Sequence, residues 1–206
     1  MMSRIPLLFP FRVLLLVSLL LFGATASATS GSPSEFIEML GTQAINVAAD
    51  KQKSSEDKSQ EFRTLLKQGF ALPTIGRFVL GRYWRQSSDE QKARYNSLFE
   101  DYLVATYTNR FNEYSGETFK VVDEKPSGER AMLVTTKVYR PQGAEVVVGW
   151  QVVSDDGGYR IVDVIIEGIS MSLTQRSDFA SAIQSNGGSI DGFLDSLERK
   201  VRGQTK

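Results

Sequence analysis

The chain has 206 residues with 24 basic and 24 acidic side chains, and it contains neither cysteine nor histidine. Those two absences exclude disulfide stapling, thiol nucleophiles, Ser-His-Asp catalysis, histidine general bases and most zinc sites together. The balanced charge gives no electrostatic reason to bind nucleic acid, which rewards clustered positive charge, so nucleic acid is not an expected partner.

Arg4 and Arg12 precede an uninterrupted apolar run over residues 13–22, and the small residues 23–28 follow it. This order of charge, grease and small side chains is that of a secretory signal peptide. The run is about half of the ~20 residues needed to span a bilayer, and A-x-A cleavage sites end at Ala26 and Ala28. We therefore read residues 1–28 as a signal peptide and 29–206 as one exported domain. Losing Arg4 and Arg12 leaves a formal charge of about −2 on a chain long enough for one sizeable core.

Ser32-Pro33-Ser34-Glu35 has the form of a capping box with proline at the first helical position, and Phe36, Ile37, Leu40, Ala44 and Val47 follow at helical spacing. Residues 50–60 are polar without periodicity and read as a loop or a frayed helix end. A second stripe, Phe62, Leu65, Leu66 and Phe70, precedes a short helix opened by Leu72-Pro73 and carrying Ile75, Phe78, Val79 and Leu80. In the segment 81–85 two aromatics, Tyr83 and Trp84, stand between Arg82 and Arg85. Aromatic rings with one wet end and guanidiniums that suit phosphate make this segment a candidate headgroup or partner contact. Ser88 to Gln91 is a second capping box, and behind it Tyr95, Leu98, Phe99, Tyr102, Leu103, Tyr107, Phe111 and Tyr114 mark the longest helix, which Gly116 stops.

From Thr118 the period becomes alternating, with strands expected at 119–122, 131–139, 145–153 and 159–167. The links between them are short and rich in Gly, Pro, Asp and Ser, which implies an antiparallel meander. One face is apolar: Met132, Val134 and Val138, then Val146, Val148, Trp150 and Val152, then Val162, Val164 and Ile166. Thr135, Lys137, Glu145, Gln151, Asp163 and Glu167 face the other way. A sheet with one dry face needs cover. The expected fold is therefore α+β, with helices packed on one face of a curved antiparallel sheet of about four strands enclosing an apolar pocket, in general shape like nuclear-transport-factor-like folds. After Glu167-Gly168, where glycine serves an unusual backbone angle, Ser172 to Gln175 caps a helix holding Phe179 and Ile183. Ile190, Phe193, Leu194 and Leu197 mark a last amphipathic helix.

The run Arg77 to Trp84, the Tyr95-to-Tyr114 helix with Phe99 and Tyr102, and above all Glu167-Gly168-Ile169-Ser170-Met171 followed by Thr174-Gln175 resemble the MlaC family, also called toluene-tolerance auxiliary proteins. The likeness covers almost the whole mature chain. It departs from the family pattern at Gln151, where arginine is usual after the strand tryptophan, and at Ile169, where valine is usual. The resemblance implies a non-enzymatic, monomeric periplasmic phospholipid carrier with no cofactor besides its lipid cargo. Such a carrier would exchange lipid with an outer-membrane lipoprotein-porin complex and an inner-membrane ABC transporter bearing an MCE-domain ring, and so maintain outer-membrane lipid asymmetry.

Expected tail contacts are Phe78, Leu98, Tyr102, Val134, Val148, Trp150, Val164, Ile166 and Met171, with Arg82 and Arg85 as headgroup or partner candidates. Two rival readings are a small enzyme with a carboxylate base of raised pKa inside the pocket and a ligand-free adaptor of an envelope complex.

Overall fold

A computed structural model describes residues 31–155 and 158–204; the signal peptide read at 1–28 lies outside the described residues. Helix α1 (Pro33–Ala49) begins with the expected capping box: Ser32 Oγ accepts from the Glu35 amide, and the Glu35 carboxylate accepts from the Ser32 amide. Ile37, Leu40 and Val47 are its buried stripe.

Helix α2 (Ser55–Gly69) corrects the loop expected at 50–60. Ser54 and Asp57 form a third capping box, so the helix starts inside the polar stretch. Capping satisfies the orphan amides of a first turn whatever the apolar periodicity behind them. Lys58 helps as well, donating its ammonium to the Ala48 carbonyl at the end of α1.

Helix α3 (Leu72–Leu80) ends at Gly81, whose φ of +61° is open to glycine. A 3-10 turn over Gly81–Arg85 leads to α4 (Asp89–Asn112), started by the Ser88–Gln91 box. The helix is 24 residues long and stops before Gly116.

Strands β1 (Thr118–Pro126), β2 (Ala131–Tyr139), β3 (Val146–Asp155), β4 (Gly158–Ile166) and β5 (Ile169–Ser170) form an antiparallel meander in sequence order. Two irregularities matter. β1 runs four residues beyond the expected 122, because a bulge at Val122 lets the charged segment behind it keep pairing with β2. In β4 the register shifts between Val152↔Ile161 and Gln151↔Asp163, leaving Val162 as the extra residue. Strict alternation places Val162 inward; the bulge turns Ile161 inward instead, where it is fully buried.

The fifth strand is absent from the expected four. Glu167 and Gly168 both take positive φ, +49° and +82°, and make the tight two-residue turn that folds β5 back on β4. Ser170, not Ser172, then caps α5 (Met171–Ser185), accepting from the Leu173 amide. α6 (Ile190–Gln204) closes the fold.

Packing divides into two cores. One lies between helices and sheet, where Ile37, Leu40 and Leu65 meet Val134, Val152 and Ile161. The other is purely helical: Tyr95, Phe99 and Tyr102 of α4 surround Phe179 of α5, which in turn meets Phe193 of α6. Tyr95 is fully buried with its hydroxyl donated to the Gly76 carbonyl, and burial raises its pKa. The aromatic load of α4 is therefore spent mainly on holding α5 and α6.

Candidate functional site

The helix–sheet interface is not filled. α1 and α2 lie over β1 to β3 around an apolar hollow of about 540 Å³, with Leu40, Ala44, Leu65 and Phe119 in its wall. A second apolar hollow, about 390 Å³, lies between α2, α3, α4, the start of α5 and strands β3 and β4, with Val79, Phe99, Val148, Val164, Ile166 and Met171 among its lining. Phe62, Leu66, Phe70, Val138 and Trp150 border both. The two hollows are thus neighbouring compartments with a shared partition.

Trp150 is held in that partition. Its indole Nε1 donates to Thr136 Oγ1 at 2.9 Å, and the Thr136 hydroxyl donates on to the Val148 carbonyl at 3.3 Å. Thr136 is fully buried, so the indole satisfies a polar group that would be costly alone. Phe70 is held from the helix side. It follows α2 directly, bridges to Ile161, and is succeeded by the Ala71 amide bonded to the Ile161 carbonyl.

Polar groups gather at one border of the larger hollow: Glu113, Tyr114, Glu117, Thr118 and Arg140. Arg140 donates twice to the Ala144 carbonyl, at 3.0 and 2.7 Å. The Ser115 amide holds the Glu117 carboxyl below its usual range. A buried general base needs the opposite shift. Asp163 borders the smaller hollow, but its carboxylate accepts from the Ser170 hydroxyl and from the Val164 and Ser172 amides. It serves the turn into α5. Among the described residues no cluster of metal-ligating side chains occurs, and no helix is long and apolar enough to cross a membrane.

Of the expected tail contacts, Val148, Trp150, Val164, Ile166 and Met171 line the hollows. Val134 is fully buried in the helix–sheet core, and Leu98 and Tyr102 are buried in the helical core; none of the three lines a hollow. Tyr102 donates to Gln175 and lies under the Lys200 ammonium. Phe78 is on the outside at 39% exposure. The helical stripe of α3 explains it: Ile75 and Val79 take the inward face, and Phe78 is turned away.

Arg82 and Arg85 border a third, open hollow of about 410 Å³ on the outer side of α3, shared with Arg77, Phe78, Trp84 and Arg176. Sequence reasoning missed Arg77, Arg140 and Arg176, none of which carries a local pattern that marks it. Thr136 was legible as an inward position between Val134 and Val138, yet an isolated hydroxyl does not announce its indole partner.

The family model described as MlaC protein matches residues 39–199. Toluene tolerance protein ttg2D of Pseudomonas putida is 29% identical over 120 residues, 58% of this chain and 56% of that protein. The chain thus matches little more than half of that relative's length. The intermembrane phospholipid transport system binding protein MlaC of Haemophilus influenzae is 21% identical over 165 residues, 76% of this chain and 75% of that protein. A phospholipid-binding protein from Ralstonia solanacearum, solved in complex with a phospholipid, superposes with a TM-score of 0.73 at 19% identity, covering 85% of this chain and all of that one. At that identity the likeness establishes the α+β fold.

Proposed function

The chain belongs to the MlaC family, and on that footing we propose that it carries phospholipid, holding the acyl chains in the two apolar hollows. The observation that carries this reading is the pair of compartments divided by Trp150 in a helix–sheet interface that an ordinary core would fill. Their apolar lining suits hydrocarbon. An acyl chain of about 14 methylenes gains roughly 11 kcal/mol on leaving water, so a carrier without such space would leave the lipid in its bilayer.

In this reading the headgroup stays at the polar border near Arg140 and Tyr114, in contact with water. The protein works in the periplasm as a monomeric single domain, brought there by the signal peptide at residues 1–28. It exchanges cargo with an outer-membrane lipoprotein-porin complex and an inner-membrane MCE-domain ABC transporter and so maintains outer-membrane lipid asymmetry. No cofactor is required, and no bond is made or broken. The similarity to a phospholipid transport system binding protein of Haemophilus and to a phospholipid-binding protein of Ralstonia supports the lipid part of the reading.

Because the tails supply nearly all the binding energy and are alike across lipid classes, headgroup selectivity is expected to be weak. Native mass spectrometry of the mature protein, followed by organic extraction, tests both statements. Co-purified phospholipids with several headgroups are expected. A lipid-free protein would overturn the carrier reading, and a single headgroup from a mixed-lipid host would overturn the selectivity argument alone.

A further inference from the structure

The outer side of the α3–α5 pair carries a feature that tail binding does not use. Arg77, Arg82, Arg85 and Arg176 converge on one open hollow of about 410 Å³ that no carboxylate lines. Several arginines elsewhere in the chain are paired: Arg63 with Glu100 and Asp101, Arg94 with Asp195 and Glu198, Arg160 with Asp155. Among the described residues none of the four convergent arginines has an ion-pair partner. Four like charges held together without a counterion are unfavourable unless an anion is to be met.

The arrangement is also built. Arg176 stacks over Phe78, 5.0 Å from the ring centroid, and lies so close to Gly81 that a Cβ there would stand 3.1 Å from its Nε. Arg82 lies over the Tyr83 ring and donates to its hydroxyl at 2.9 Å. Arg82 and Arg176 are nonetheless exposed, and a guanidinium with free donors takes phosphate oxygens in pairs.

Apolar groups surround the charge. Phe78 is 39% exposed, and Leu173, one turn before Arg176 on α5 and therefore on its side of the helix, is 59% exposed. Ile169, at the β4–β5 turn leading into α5, is 59% exposed. With Trp84 in the hollow itself, the surface mixes phosphate-binding cations with side chains that enter the headgroup layer. A purely acidic protein face would match the arginines but would leave Leu173 and Ile169 unanswered.

We propose that this face, Arg77, Arg82, Arg85 and Arg176 with Phe78 and Leu173, docks the protein on the phosphate groups of an anionic bilayer surface. The bilayer contact is separate from the tail compartments, but α3 and α5 border both: Ile75, Val79, Met171 and Gln175 face the smaller hollow, while Arg77, Phe78 and Arg176 face the membrane. Docking therefore sets the bilayer against the outer side of the same two helices that wall the cargo.

The test is co-sedimentation of the full mature protein with vesicles of phosphatidylcholine alone and with about one-third phosphatidylglycerol, in wild type and in Arg77→Gln/Arg176→Gln. Each arginine near such a surface is worth about fivefold in partitioning, so the double substitution is expected to weaken binding to the anionic vesicles about 25-fold. Binding is also expected to fall with salt. Lipid co-extracted from the double variant reports the tail compartments independently, so loss of vesicle binding with cargo retained isolates this face. Vesicle binding indifferent to phosphatidylglycerol, or unchanged in the double variant, overturns the proposal. So does a face that binds inorganic phosphate or soluble polyglutamate but no vesicles. A variant that loses both cargo and circular-dichroism signal is replaced by Leu173→Ser, which keeps every charge and is expected to weaken binding to anionic vesicles several-fold; unchanged binding overturns the proposal.

Discussion

Gly41 bears on the size of the larger hollow, the space proposed for acyl chains. A Cβ at this position in α1 would stand 2.4 Å from the Phe119 Cζ on β1. Alanine is the better helix former by up to about 1 kcal/mol, whereas overpacking a filled core costs about 1–3 kcal/mol. Phe119, however, borders the larger hollow, so its ring has room to swing inward. Gly41→Ala is therefore expected to change the unfolding free energy read from urea titration by less than about 1 kcal/mol while lowering the phospholipid extracted per protein. A strongly destabilised protein with full cargo would contradict this. At the same scale the sequence was only partly legible. Alternation along β3 put Val148 and Trp150 inward, and both line hollows. The same logic put Val134 inward, where it packs as ordinary core, because apolar alternation is identical for a filled and a lined interior. Val162 failed for another reason: a bulge shifts phase without leaving a mark in hydrophobicity.

Among the elements, α5 depends on a polar junction. Asp163 on β4 accepts from the Ser170 hydroxyl and the Ser172 amide, and Ser170 in turn caps the helix. Asp163→Ala removes both acceptor contacts and is expected to cost about 1–2 kcal/mol, the scale of a lost helix cap. Hydrogen exchange should show the loss concentrated in α5; uniform loss across the sheet would argue against a junction role. A second link joins α4 to α6, where Arg94 donates to Asp195 and Glu198, both at 2.7 Å. The hydrogen bond from Arg94 is the main cause that holds the Glu198 carboxyl below its usual value of 4.5. A lowered carboxyl pKa stabilises the fold above that usual value and loses its contribution as pH falls through the lowered one. Arg94→Gln should therefore reduce the Tm at neutral pH, with the two proteins converging on the acid side of the carboxylate range. A gap that persists in acid would assign the effect to packing. Element existence was mostly readable, through capping boxes at Ser32 and Ser88 and alternation from Thr118. The start of α2 was missed because Ser54–Asp57 caps a turn with no apolar stripe, and β5 because two residues carry no period.

At the scale of the molecule, the helices divide the labour. α4, α5 and α6, with Val79 and Leu80 of α3, close a helical core around Phe179, while α1, α2 and α3, with one side of α4 and the start of α5, leave two compartments over the sheet. The helical core is filled, whereas the helix–sheet interface leaves the space proposed for acyl chains. Neither compartment was legible as such in the sequence, since volume arises from how elements sit apart rather than from what they are made of. The chain has two tryptophans, and only Trp150 borders the compartments, Trp84 being in the arginine face. In Trp84→Phe the remaining indole reports the partition alone. The direct measurement is its quenching by phospholipid brominated along the acyl chain, compared with aqueous iodide. Strong quenching by the bound brominated chain, with iodide ineffective, is the expected result; bound lipid that leaves Trp150 unquenched would contradict the assignment of the two hollows to acyl chains.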